Sequence, residues 1–108
     1  LLAIDIGNSD VTLGLWADET WKYVWRMPSK PDLPELFFGV RVRDYFLESG
    51  ADLQAVDHIV LSSVVPRLTE KLKSVVRNLF GKEAMVLGPG VYDLLPIGIL
   101  NPYEIGSD

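Results

Sequence analysis

Apolar residues come in three short runs at the start of the chain, and turn-forming residues separate the runs. The runs cover residues 1–6, 11–17 and 21–27. Their composition is typical of β-strands, and the third run has aromatic side chains at alternate positions. These aromatic residues are Trp21, Tyr23 and Trp25. Because only short turns separate them, the three runs predict an antiparallel meander.

Helical spacing of apolar residues appears in two later segments. Asp32 and Glu35 form a capping box, which predicts a helix that runs to about Ser49 and ends at Gly50. In the second segment the apolar side chains at helical spacing are Leu68, Leu72, Val75, Val76 and Leu79. Gly81 ends this second predicted helix.

Two further apolar runs predict strands. Residues 57–65 are mostly apolar, apart from their ends and Ser62-Ser63, and Pro66 ends the run. Residues 84–87 form a shorter run of the same kind. The resulting element order, βββαβαβ, predicts an α/β fold with a mixed sheet.

Length and composition narrow the class of protein. The 108 residues, 48% of them hydrophobic, predict one domain with a substantial core. A formal net charge of −5 argues against a nucleic-acid-binding surface, which normally needs a basic face. The absence of cysteine excludes disulfides and zinc–thiolate sites, and it fits a cytoplasmic location. We expect neither a signal peptide nor a membrane span.

The end of the first strand carries the first candidate for chemistry. Asp5 projects from the opposite face to its apolar neighbours, at the strand end where ligands of α/β sheets gather. A single carboxylate beside a nucleotide suits Mg²⁺, which keeps several of its waters. Gly7 lets the backbone approach a phosphate, and short hydrogen-bond donors follow at Asn8, Ser9 and Thr12. The same run also fits an ordinary hairpin turn, and the residues alone leave both interpretations open.

A second carboxylate, Asp108, follows a turn that contains Gly106. A carboxylate in such a place can act as a general base. Ser107 and Asp108 are also residue types that cap the amino end of a helix, and the two roles are compatible.

Four segments, in order along the chain, resemble the amino-terminal half of the type III pantothenate kinases, also called the Bvg accessory factor family. They are AIDIGNSDVTLGL at 3–15, IVLSSVVPRLT at 59–69, LGPGV at 87–91 and LPIGILNPYEIGSD at 95–108. The resemblance implies that residues 1–108 form the first of two ribonuclease H-like domains. It places the fold in the superfamily of acetate and sugar kinases, actin and heat-shock chaperones, with the second domain absent from this chain.

The resemblance also implies an activity, the ATP-dependent phosphorylation of pantothenate at the first step of coenzyme A biosynthesis. It assigns the ATP phosphates and Mg²⁺ to Asp5, Ile6, Gly7, Asn8, Ser9, Asp10, Val11 and Thr12. Asp108 matches the family's proton acceptor, and Gly106 and Ser107 match its substrate-contacting residues. Ile99 stands where many members have a Tyr that lines the pantothenate pocket. A K⁺ or NH₄⁺ site in the missing half and a homodimer are implied as well.

Other functions compete with this one. The family name records a transcriptional accessory role, although the acidic balance argues against direct DNA contact. Ile99 is compatible with a related kinase that uses another hydroxyl acceptor. A degenerate domain used only for dimerisation fits poorly, because Asp5, Asn8 and Asp108 are intact. Since the chain starts within a strand and stops at Asp108, we expect a part of a longer protein that does not turn over ATP alone.

Overall fold

The computed structural model describes residues 1–87, which form a five-stranded mixed sheet and two α-helices. The strands are β1 (Leu2–Ile6), β2 (Asp10–Ala17), β3 (Thr20–Pro28), β4 (Ile59–Ser63) and β5 (Met85–Val86). The helices are α1 (Glu35–Ser49) and α2 (Pro66–Phe80), and one turn of 3₁₀ helix covers Leu53–Ala55. The predicted α/β fold with a mixed sheet is confirmed. Neither α-helix of this described part has the length and hydropathy needed to cross a membrane.

The sheet has the strand order β3-β2-β1-β4-β5. The first three strands form the predicted antiparallel meander, whereas β4 pairs in parallel with both β1 and β5. Strand β1 is therefore central, and all five of its residues are buried. Because β1, β3 and β4 run in the same direction, their carboxyl ends lie at one edge of the sheet. The polar residues at those strand ends are thereby brought to the same edge.

The main core lies on the face of the sheet that packs against both helices. Strand β1 contributes alternate residues to it, Leu2, Ile4 and Ile6. Helix α1 contributes Phe38, Val42 and Phe46, and α2 contributes Leu68, Leu72, Val75 and Val76. Both helices end in a left-handed glycine, as predicted, with φ of 79° at Gly50 and 68° at Gly81.

The capping box predicted for α1 is wrong. The residue that caps the helix is Pro34, which has an extended backbone and makes no side-chain capping hydrogen bond. Both acidic side chains instead bind α2: Asp32 pairs with Arg67, and Glu35 accepts a hydrogen bond of 2.9 Å from Ser74 Oγ. The hydrogen bond and charge of Arg67 hold the pKa of Asp32 below its ordinary value. The two side chains that the local sequence predicts to cap α1 thus make tertiary contacts with α2 instead.

The alternation of aromatic residues in β3 holds for Tyr23 and Trp25 but not for Trp21. The register with β2 runs from Leu15–Tyr23 directly to Trp16–Trp21, so β3 has one extra residue at this point. Such a bulge changes the face on which the following side chains lie. Trp21 accordingly packs with the small cluster on the face opposite the helices, and Trp25 packs against the main core.

Candidate functional site

A row of polar residues crosses four strands near the edge where β1, β3 and β4 end. In register, the row consists of Ser62 on β4, Asp5 on β1, Thr12 on β2 and Arg26 on β3. Neighbouring strands lie about 4.8 Å apart, and paired residues point to the same face. Asp5 is 4% exposed, Thr12 6% and Ser62 9%, whereas Arg26 is exposed. The row therefore combines a buried carboxylate with two hydroxyls and, at its outer end, a guanidinium.

The phase of each strand places this row on the face away from the helices. Ile4 and Ile6, on either side of Asp5, belong to the main core. Trp25 and Met27, on either side of Arg26, also pack on that side. Because strand side chains alternate between faces, the carboxylate lies on the opposite face, as the sequence predicts.

The turn between β1 and β2 is held by hydrogen bonds to its own backbone and to Ser29. The Gly7 N–H donates to the Asp10 carbonyl at 2.9 Å. Ser29 Oγ donates to the Gly7 carbonyl at 2.6 Å, and the Ser29 N–H donates to the Ser9 carbonyl at 3.0 Å. Asn8 and Ser9 are exposed at the tip of the turn. The carbonyls of Gly7 and Ser9 thus face Ser29.

The carboxyl end of β4 lies at the same edge of the sheet as that of β1, and the chain continues from it into α2. The Val64 N–H donates to the Ile6 carbonyl at 3.0 Å, which extends the pairing of the two strands. Ser63 Oγ donates to the Val65 carbonyl at 3.1 Å and accepts from the Val65 N–H at 3.0 Å. The two serines of this strand therefore differ: Ser63 closes the turn that starts α2, whereas Ser62 lies in the polar row.

The loop that follows β3 is anchored to α2. Lys71 Nζ donates to the carbonyls of Pro31 and Leu33, the second at 2.8 Å. Arg67, one turn earlier on α2, pairs with Asp32 of the same loop. The loop begins at Ser29, so α2 and the turn after β1 are connected through one short segment.

Replacing Lys71 with Met is expected to lower the free energy of unfolding of the full-length protein by about 1.5–3 kcal/mol. Methionine keeps most of the length of the side chain but cannot donate to the carbonyls of Pro31 and Leu33. Lys73→Met is the matched control, because Lys73, two residues further along α2, forms an ion pair of 3.7 Å with Glu70 of the same helix. The control is expected to change stability by about 0.5 kcal/mol or less. Equal urea midpoints for the two variants would contradict this anchoring role of Lys71.

The eight residues that the resemblance assigns to ATP lie in different parts of the structure. Asp5 and Thr12 pair with each other across β1 and β2 in the polar row. Gly7, Asn8 and Ser9 form the turn, and Asp10 starts β2. Ile6 and Val11 have their side chains in the main core, so only their backbone can face a ligand. Four predicted substrate-side residues, Ile99, Gly106, Ser107 and Asp108, lie outside the described residues.

Three polar residues join this site without having been predicted from the sequence. Arg26 and Ser62 enter it through the register of β3 and β4 with the first two strands. The alternation of apolar residues in β3 and β4 was the signal that could have placed Arg26 and Ser62 on the same face as Asp5. Ser29 enters through one side-chain and one backbone hydrogen bond to the turn after β1, and no local pattern predicts such bonds.

Oxygen ligands in the polar row fit a magnesium ion that arrives with phosphates. Within residues 1–87, no group of three or more His, Cys, Asp or Glu side chains lies together as a metal site would need. Mg²⁺ is commonly held by one or two carboxylates together with substrate phosphates and water, rather than by a cage of protein ligands. Asp5, with the hydroxyls of Thr12 and Ser62 on either side, supplies such a set.

Comparison with known proteins gives consistent matches along the chain. Residues 1–108 match the model of a protein family described as type III pantothenate kinase. The chain is 38% identical to the type III pantothenate kinase of Moorella thermoacetica and 37% identical to that of Geotalea uraniireducens. Identity to the enzyme of the same name from Halalkalibacterium halodurans is 36%. Each alignment covers 100% of this chain but 42% of the relative, so the chain spans less than half the length of these proteins.

Proposed function

The chain belongs to the type III pantothenate kinase family, and from that premise we propose that the full-length protein transfers the γ-phosphate of ATP to the primary hydroxyl of pantothenate. This reaction opens coenzyme A biosynthesis. The observation that carries the proposal is the buried carboxylate of Asp5, which lies next to the turn at residues 7–9 and in register with two hydroxyls. The family match over the whole chain supports the interpretation of this arrangement as a site for ATP phosphates and Mg²⁺.

We propose that the described sheet belongs to the first of two ribonuclease H-like domains in the superfamily of acetate and sugar kinases, actin and heat-shock chaperones. The antiparallel meander followed by two helix-linked parallel strands supports this assignment. On this proposal, the other half of the protein completes the nucleotide site and supplies the site for K⁺ or NH₄⁺. The functional unit is proposed to be a homodimer.

On the ATP side, the turn after β1 is proposed to bind the phosphates. Asn8 and Ser9 are exposed at its tip, and short side chains and backbone N–H groups there suit phosphate oxygens. Asp5 is the residue that would hold Mg²⁺, which when bound neutralises phosphate charge. Arg26 places a guanidinium in the same row, in register with Thr12, where its positive charge would favour phosphate binding. Positioning and charge neutralisation supply most of the catalysis in phosphoryl transfer.

On the acceptor side, the proposal assigns the proton transfer to Asp108. Its carboxylate takes the proton of the primary hydroxyl as that oxygen forms a bond to the γ-phosphorus. The bond from the γ-phosphorus to the bridging oxygen breaks, and the electron pair leaves with ADP. Gly106, Ser107 and Ile99 are proposed to contact pantothenate.

A panel of acceptors tests the proposed function. The full-length protein, with ATP, Mg²⁺ and K⁺, is expected to release ADP when pantothenate is present and only at a background rate with a sugar or acetate. If only an acceptor of another class supports turnover, the protein is a related kinase with a different substrate. No turnover with any acceptor would contradict the kinase assignment.

The same panel tests the proposed position of Ile99 in the acceptor site. Ile99→Tyr restores a hydroxyl donor, and it is expected to change KM for pantothenate while KM for ATP stays within about twofold of the unmodified protein. A change confined to KM for ATP would contradict that position. The comparison needs only steady-state rates at varied concentrations of each substrate.

A further inference from the structure

We propose that Ser29 is a positioning residue for the phosphate-binding turn, an inference that rests on the proposed function. Ser29 follows β3 directly and is only 9% exposed. It makes two hydrogen bonds to the turn after β1, one from its hydroxyl to the Gly7 carbonyl and one from its N–H to the Ser9 carbonyl.

The planarity of the peptide bond converts these two contacts into a constraint on the turn. In a trans peptide, the C=O of one residue and the N–H of the next point in opposite directions. The Gly7 carbonyl faces Ser29 at 2.6 Å, so the Asn8 N–H points away from Ser29. In the same way, the bond to the Ser9 carbonyl fixes the peptide between Ser9 and Asp10. Ser29 therefore sets the orientation of two of the peptide units that would face a phosphate.

Ser29 can fix the turn after β1 because its own position is fixed by the loop that it begins. It begins the loop that Lys71 and Arg67 anchor to α2, through Pro31, Asp32 and Leu33. Removing the hydroxyl would leave the Gly7 carbonyl without its 2.6 Å partner in a buried place. The turn would then gain alternative orientations, and binding would require ordering that the present structure already provides.

The test compares Ser29→Ala with Ser29→Thr, which keeps a hydroxyl, in the full-length protein. Ser29→Ala is expected to weaken affinity for a non-hydrolysable ATP analogue and to raise KM for ATP, each about five- to tenfold, the equivalent of one lost hydrogen bond. KM for pantothenate is expected to stay within about twofold. Ser29→Thr is expected to return the ATP affinity to within about threefold of the unmodified protein.

Ser49→Ala is the matched control. Ser49 Oγ also donates to a backbone carbonyl, that of Phe46 at 3.2 Å, but it lies at the end of α1. The control is expected to lower the thermal midpoint about as much as Ser29→Ala while leaving both KM values unchanged.

Each result bears on the proposal in a defined way. An ATP affinity unchanged in Ser29→Ala would overturn the role of Ser29 and leave the proposed function intact. Equal rises in KM for ATP and KM for pantothenate would show that Ser29 has only a structural role, and they would also overturn the proposal. Failure of Ser29→Thr to restore the affinity for the ATP analogue would do the same. Turnover of a different acceptor by the unmodified protein would contradict the proposed substrate, while the expected loss of ATP affinity in Ser29→Ala would still support the inference.

Discussion

The Asp5→Asn variant of the full-length protein is expected to lose kcat/KM for ATP by about 10²–10³-fold, the scale on which removal of one preorganised electrostatic group impairs catalysis. Asp5 is buried, with Thr12 and Ser62 beside it on the neighbouring strands. Asparagine has nearly the same shape and keeps one acceptor oxygen, but it lacks the charge and places an NH₂ donor where the second oxygen stood. Because Mg²⁺ reaches such sites with substrate phosphates, the loss is expected in KM for MgATP as well as in kcat.

Asp18→Asn is the control for this experiment. Asp18 is an exposed carboxylate in the turn between β2 and β3, at the other end of β2 from the site. Its φ of 52° is left-handed, a conformation that Asn tolerates. The control is expected to keep the activity of the unmodified protein. Asp5→Asn activity within about threefold of the unmodified protein, or a rise in KM for pantothenate alone, would contradict the ATP-side role of Asp5.

Much of the fold follows from local patterns in the sequence. The alternation of apolar residues predicts the meander, and the helical spacing from Leu68 to Leu79 predicts α2. Gly50 and Gly81 end their helices because glycine, which has no Cβ, adopts the left-handed backbone there without strain. These features are set by interactions within a few residues, which is why the sequence alone predicts them.

Features that depend on how one element contacts another could not be predicted in this way. Asp32 and Glu35 have the spacing of a capping box, but Arg67 and Ser74 of α2 compete for them. The bulge that turns Trp21 to the other face depends on how β3 pairs with β2, which no property of β3 alone determines. In the first case a tertiary partner outweighs a weak local preference, and in the second the pairing of two strands does so.

The candidate site shows the same division. Asp5 is predicted because its phase and its place at a strand end are local properties. The presence of Ser62 and Arg26 in the same row depends on which strands pair and in what register. Ser29 depends on the path of the chain after β3. The sequence thus predicts the charged centre of the site, whereas the arrangement around that centre requires the folded sheet.

The proposed mechanism separates the two carboxylates by function, and this separation has a kinetic consequence. Asp5 is expected to act on phosphate charge, whose effects appear in both ATP binding and turnover. Asp108 is expected to act only on the proton of the acceptor hydroxyl, which moves during the chemical step. Substitutions at the two positions should therefore differ in how they divide between KM and kcat.

The Asp108→Asn variant of the full-length protein is accordingly expected to lower kcat by about 10²–10⁴-fold, the usual contribution of a general base, with both KM values nearly unchanged. Asparagine can still accept a hydrogen bond from the hydroxyl of pantothenate but cannot take its proton. The dependence of kcat on pH provides a second readout. The unmodified protein needs the carboxylate ionised, so its rate falls as the pH drops through the pKa of that group. The residual rate of the variant is expected to lack this acidic limb.

Two comparisons show whether Asp108→Asn removes only the general base or also impairs pantothenate binding. Pantothenate affinity, measured by calorimetry in the presence of an ATP analogue, is expected to match that of the unmodified protein, because the asparagine occupies the same volume. Asp18→Asn again serves as the exposed carboxylate control. An Asp108→Asn variant with ordinary kcat, or one that keeps the acidic limb of the pH profile, would show that another group takes the proton. Loss of pantothenate binding without a change in the pH profile would instead make Asp108 a binding residue.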